Sequence, residues 1–225
     1  MPGLPIACLL IAYLGASGRE SWVHSAILHA SKNERQRWRK YGSIGALLRL
    51  AHFYHNTIHH RRTFKSSFFI QFDNPLQKRK LDSALIGELG IRLRANSYGT
   101  TVTGTWEIAT FVAVPLAFIT PMFLKWAPAL LPVGVAIAVL PLLLSRYIHP
   151  LLHIDYESES GTHKNKSEFI RRTCAFRYLQ AYHRRHHEDY SINFNLLLGA
   201  DWIFRKRVHS GKRNPDTPAD ADRRI

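Results

Sequence analysis

A chain of 225 residues, 46% of them hydrophobic, holds enough apolar material for one domain and too little for two independent ones. A formal charge of +15 would fit nucleic acid on a soluble basic fold, but here the basic residues flank long apolar runs, so the expected partner is a membrane surface and not nucleic acid. Cys8 and Cys174, the only cysteines, exclude both a disulfide framework and a thiolate metal site, leaving nitrogen or oxygen to hold any metal.

The first element is apolar, from Leu4 to Ala16, and lacks the positively charged start of a secretory signal. It is either a spanning or a shallow helix. If helical through Glu20 to His29, it reaches roughly 39 Å at about 1.5 Å per residue, enough to cross a bilayer and project beyond it. Between Arg61 and Gly104 runs a long connection whose aromatic cluster, Phe64, Phe68, Phe69 and Phe72, precedes Gln77, Lys78, Arg79 and Lys80, a composition that suits the headgroup layer. From Leu81, the recurrence of Leu85, Ile86, Leu89 and Leu93 predicts a helix that either lies at the interface or packs against the rest of the polar region.

Two apolar runs follow, Ile108 to Leu124 and Ala127 to Leu144, separated by Lys125 and Trp126, with Trp106 at the change from polar to apolar sequence. This pattern predicts a tight transmembrane hairpin rather than a buried hairpin of a soluble protein. Three spans would place Gly18 to Thr105 and Ser145 to Ile225 on one side, which their Lys and Arg content marks as cytoplasmic. After His209 the sequence has no apolar periodicity, and residues 209–225 are expected to form a disordered basic tail. The expected fold is all-α, an integral membrane helical bundle of about three spans with a cytoplasmic helical cap.

Histidine is the outlier of the composition, with 13 residues. Eleven fall into four groups: His24 and His29; His52, His55, His59 and His60; His149 and His153; His183, His186 and His187. All lie in the regions assigned to the cytoplasmic side. Separations of three or four residues put two imidazoles on one helix face, which predicts pairing of His55 with His59, His149 with His153, and His183 with His186 and His187. His24 and His29 are five apart and need a bent or ending helix, or two different ions. Imidazole suits iron, zinc and copper, and the scarcity of carboxylate and thiolate argues against calcium, magnesium and iron–sulfur clusters. For His52 a packing or supporting role is as good a reading as ligation, and His163 and His209 are expected to face solvent. Asp155, Glu188 and Asp189 stand near ligands but serve equally well to balance surface charge.

From about Glu20 to Phe204 these residues resemble the fatty acid hydroxylase and sterol desaturase superfamily of membrane di-metal enzymes. Glu20-Ser-Trp-Val-His24 with Ile27-Leu28-His29 looks like the opening segment of fatty acid 2-hydroxylases. His52-Phe53-Tyr54-His55-Asn56-Thr57-Ile58-His59-His60 resembles the second histidine box, and His149-Pro150-Leu151-Leu152-His153 the third. Tyr182-His183-Arg184-Arg185-His186-His187 is the closest match, followed by Asn193-Phe194-Asn195, similar to the polar turn after the family's last box. The second box usually has two residues before its paired histidines, whereas His55 has three before His59.

The resemblance makes residues 1–208 one hydroxylase-like membrane domain and implies two iron ions that activate dioxygen, with zinc possible in purified protein. Its ligands would be His24, His29, His55, His59, His60, His149, His153, His183, His186 and His187. Glu20 would orient one of them from behind, and His52 would have a supporting place. The substrate would be a membrane lipid, whether fatty acyl chain, sterol or related molecule. A separate reductase or ferredoxin-like carrier would supply electrons, because no haem-binding electron-transfer domain fits in this length. The opening element favours hydroxylation over desaturation, and the competing class is a non-catalytic membrane protein that binds zinc. A metal transporter is a third reading, disfavoured because its ligands should line a path within the spans.

Overall fold

No side chain between Leu4 and Gly18 is charged, and Pro5 falls where a helix needs no amide donor, so nothing interrupts a long first helix. In the computed structural model, which describes residues 3–89, 105–155, 168–190 and 192–200, α1 runs from Gly3–Val23 and passes directly into a π-helical turn, π1, at His24–Leu28. Helices α2 (Lys32–Trp38) and α3 (Gly42–His52) follow, and α3 runs without a break into a second π-helical segment, π2, at Phe53–Arg62. Next come α4 (Pro75–Leu89), α5 (Thr105–Trp126), α6 (Leu131–Tyr147), the short α7 (His149–Leu152) and α8 (Glu168–Arg172), and α9 (Cys174–Glu188). Among the described residues no strand forms, so the all-α expectation holds.

Helices α1, α5 and α6 pack together around Cys8, Ala12, Ile119, Phe123, Ala127 and Ala138. Small residues let the helices approach: Cys8, Ala12 and Ala16 line the inner face of α1 at four-residue intervals, and Gly134 and Ala138 do so on α6. A Cβ at Gly134 would lie 2.5 Å from the Phe123 ring, which is itself fully buried. Many large apolar side chains point outward: Ile6, Leu10 and Ile11 on α1, Val114 and Phe118 on α5, Val133 and Leu143 on α6, with Phe118 76% exposed. An outer face this rich in large apolar side chains is unusual for a bundle in water.

Among the described residues one helix, Pro128–Tyr147, is long and apolar enough to cross a bilayer by length and composition, while Val112–Trp126 is apolar but shorter. Of the three spans expected, one therefore meets the criterion by itself. The hairpin turn also falls later than the sequence suggested. Helix α5 extends through Trp126, and the break comes at Ala127, which leaves the helical conformation (φ −154°, ψ 58°) just before Pro128.

Leu81 and Leu85 of α4 are buried against Ile58 of π2 with Phe53, Tyr54 and Phe72. Leu81 and Leu85 thus serve packing, while Ile86 stays exposed. Leu93, the polar stretch up to Gly104, His163, His209 and the 209–225 tail lie outside the described residues.

Candidate metal centre

The two π-helical segments are what bring the histidines together. In an α-helix positions four apart share a face, but a π-turn closes from residue i to i+5 and puts positions five apart in line. His29 N–H donates to the His24 carbonyl over 3.1 Å, and Thr63 N–H to Ile58 over 2.9 Å, both with that longer period. His24 and His29 thereby meet with ring centroids 4.8 Å apart. His55 meets His60, with Nε2 atoms 3.1 Å apart, and not the predicted His59. Thr63 ends π2 by donating its hydroxyl to the Ile58 and His59 carbonyls, 3.1 and 2.9 Å away.

The first cluster draws on three parts of the chain. The Nε2 atoms of His29, His186, His60 and His55 form a closed ring with sides of 3.1, 3.2, 3.1 and 3.2 Å. A flat square of that size has its centre about 2.2 Å from each corner, and puckering shortens this towards the roughly 2.0–2.1 Å of an imidazole–zinc bond. His24 completes the group: its ring lies 4.6 Å from that of His186 and 5.0 Å from that of His55.

The second cluster comprises His59, His149, His153 and His183, whose ligand atoms lie within 4.8 Å of one another. His149 and His153 each approach His183 through Nε2, at 2.9 and 3.0 Å, and His187 approaches His59 at 3.1 Å. His60 and His187 stand at the junction with ring centroids 4.2 Å apart, and together with His59 they form a third grouping that straddles both clusters. The closest nitrogen contacts assign His60 to the first cluster and His187 to the second. All ten histidines named from the sequence are therefore brought together, but two pairings change: His59 leaves His55, and His186 lies across from His183. His149 with His153, and His183 with His187, remain together.

Several imidazoles are oriented from behind. Asn193 fixes His24, because its Nδ2 donates to the Ser21 hydroxyl (2.6 Å) and faces the Ser21 carbonyl, so its Oδ1 must accept from His24 Nδ1–H at 2.8 Å. The opposite nitrogen, His24 Nε2, is buried without a hydrogen-bonding partner and belongs to the first cluster. A lone pair held in an apolar setting among other imidazole nitrogens suits a metal ion, so the donor set fits one. His186 Nδ1–H donates to the Ile192 carbonyl (2.6 Å), and His153 Nδ1–H to the Phe68 carbonyl (2.8 Å).

Glu20 serves at one remove from its expected place. Its carboxylate accepts from the Leu196 and Leu197 amides at 2.7 and 2.9 Å, tying α1 to the loop that carries Asn193. His52 lies outside both clusters; its Nδ1–H donates to the Ile27 carbonyl at 3.3 Å and its Nε2 accepts from Asn56 at 3.2 Å, linking π2 to π1. Glu188 pairs with Arg184 at the surface, 3.0 Å apart, and all three groupings consist of histidine alone.

Burial sets the charge state. It lowers His24 and His52 to about 4 and His153 to about 3. Burial first, and repulsion among neighbouring imidazoles second, hold His29, His55, His59, His60, His183 and His187 well below the ordinary histidine value. At neutral pH these rings are uncharged and offer lone pairs, the form a metal requires.

Two rings of the aromatic cluster, Phe64 and Phe68, lie against the second cluster. Phe64 stacks on His153 at 4.0 Å and Phe68 lies 4.5 Å from the same ring. Phe64 does so with φ +53°, a left-handed conformation that a bulky residue rarely adopts. Tyr190, with no motif to mark it, donates its hydroxyl to the His60 carbonyl (3.3 Å) and lies over His29. An open cleft of about 390 Å³, lined among others by Phe64, Phe68, Arg184 and Tyr190, reaches His60 and His187 at the junction of the clusters.

No protein family, no curated protein and no solved structure matches this chain.

Proposed function

We propose that this protein is a membrane-bound two-metal oxidoreductase that hydroxylates a lipid. The observation that carries the reading is the pair of adjacent, largely buried, all-imidazole clusters of four histidines each, with His60 and His187 at their junction, against a bundle whose outer face is large and apolar. The donor chemistry supports a borderline metal such as iron or zinc, and the resemblance of the four boxes to membrane hydroxylases favours two iron ions. The outward apolar side chains of α1, α5 and α6 support three spans, and the Lys and Arg on the histidine side support a cytoplasmic location.

Iron so held would supply dioxygen activation: with two electrons from a separate carrier and two protons, one oxygen atom would enter a carbon–hydrogen bond of the lipid and the other would leave as water. The chain's own part is positional. Asn193 and the carbonyls of Ile192 and Phe68 hold His24, His186 and His153 in one tautomer, with Nε2 free of its proton. Phe64, Phe68 and Phe194 pack against His153 and His183 and shield that side of the second cluster from water. The bundle gives an acyl or sterol tail a way in from the bilayer, and basic residues near the site receive an anionic headgroup.

Metal analysis of anaerobically purified protein, joined to lipid mass spectrometry of cells with and without the gene, tests this. Two irons per chain and a lipid heavier by one oxygen are expected. Loss of two hydrogens would make the enzyme a desaturase, and zinc alone with no oxygen uptake under reduction would replace the reading with a structural zinc protein.

A further inference from the structure

The polar region carries an apolar stripe that no other described residue covers. Ile44, Leu47, Leu48 and Ala51 of α3 fall at i, i+3, i+4 and i+7, one helical face, and Tyr41 just precedes them. Ile44 is 67% exposed and Tyr41 56%, with Leu47 also exposed. The helix is turned this way by its other side. Gly45 faces Trp38 so closely that a Cβ there would lie 1.7 Å from the Trp38 carbonyl oxygen, so α3 folds back on α2 through Gly45 and presents the opposite face outward. Around the stripe the exposed side chains are cationic: Arg37 on α2, then Arg39 and Lys40 in the connection.

We infer that the α2–α3 hairpin seats on an anionic lipid surface, with Tyr41, Ile44, Leu47 and Leu48 at the acyl boundary and Arg37, Arg39 and Lys40 against headgroup phosphates. An exposed apolar face bordered by cations is the chemistry of an interfacial helix. The hairpin is attached next to the bundle: α3 packs on π1, the direct extension of α1, whose Trp22 is 54% exposed where an interfacial aromatic would sit. Because α3 runs without a break into π2, its seating fixes the place of His55, His59 and His60 relative to the bilayer. The inference rests on the membrane reading of the bundle, not on the reaction.

Full-length protein with Cys174→Ser and a single added cysteine, Cys8 being buried, is labelled with a polarity-sensitive fluorophore. It is then reconstituted into phosphatidylcholine vesicles with and without phosphatidylserine. Labels at Ile44→Cys and Leu47→Cys should shift to the blue and be quenched by nitroxide lipids, more strongly with phosphatidylserine, while one at Asn33→Cys stays aqueous. Arg39→Glu with Lys40→Glu should abolish the phosphatidylserine dependence. Phe118→Cys on α5 reports on the bundle itself. An aqueous label at 44 beside a quenched one at 118 overturns the inference alone, and aqueous labels at both overturn the membrane reading. Cross-linking of two chains through Ile44→Cys within the bilayer assigns the stripe to a second copy and also overturns it.

Discussion

At the scale of single residues, the centre depends on groups that never reach the metal position. Asn193 decides which His24 nitrogen keeps its proton, so Asn193→Ala should weaken metal binding at the first cluster about 10- to 100-fold with little loss of helix, measured by metal titration and circular dichroism. His186→Ala removes a corner of the nitrogen ring and should leave close to one metal per chain with turnover abolished; retained turnover would contradict the proposed enzyme. The buried imidazoles also set a pH dependence. His24 and His52 are lowered from 6.5 to about 4, so between those values the unfolded chain binds more protons than the folded one. Their contribution to stability is full above about pH 6.5 and is lost as pH falls towards 4. The thermal midpoint in detergent should be flat above pH 6.5 and fall below it, and a midpoint that rises on acidification would show that these rings are not buried as described.

At the scale of elements, the π-helical segments carry the departure from α-helical expectation. Three residues between His55 and His59 look like a defect if the segment is α-helical. In π2 they let His55 and His60 share one ion position and pass His59 to the other. Deleting Thr57 should restore the shorter spacing yet disrupt the centre, seen as metal loss with helical content kept. All ten histidines are legible in the sequence, since residue type and grouping are local, but their partition is not, because spacing translates into direction through the helical period and that period here is π, not α. Asn193 lay within a noted motif; Tyr190 lay in none, and no local signal would have marked it. At Gly45 the close approach to Trp38 leaves no room for a methyl group, so Gly45→Ala should cost about 1–3 kcal/mol, the usual range for overpacking, read from thermal unfolding.

At the scale of the molecule, the layout is a three-helix apolar bundle with a histidine-bearing polar region bound to one end. The loop of residues 192–200 joins the two: Tyr13 and Ser17 of α1 donate to the Leu198 and Leu197 carbonyls, each over 2.6 Å, while Asn193 of the same loop reaches His24. Bundle and centre should therefore loosen together. Alkaline washing of membranes should leave the chain in the pellet, and its release to the supernatant would refute spanning by α6.

Composition and order along the chain were enough to determine an all-helical protein with a long apolar helix and a histidine-rich polar region whose groups could hold a metal through nitrogen. Those properties depend on residue type and local periodicity, which the sequence carries directly. Tertiary structure alone decided which imidazoles share a position, that Phe64 and Phe68 cover the second cluster, that α4 is packed while α3 is exposed, and that Glu20 acts through a loop. Each of these is a contact between distant segments, or a helical period other than that of the α-helix, and so is settled by what packs against what.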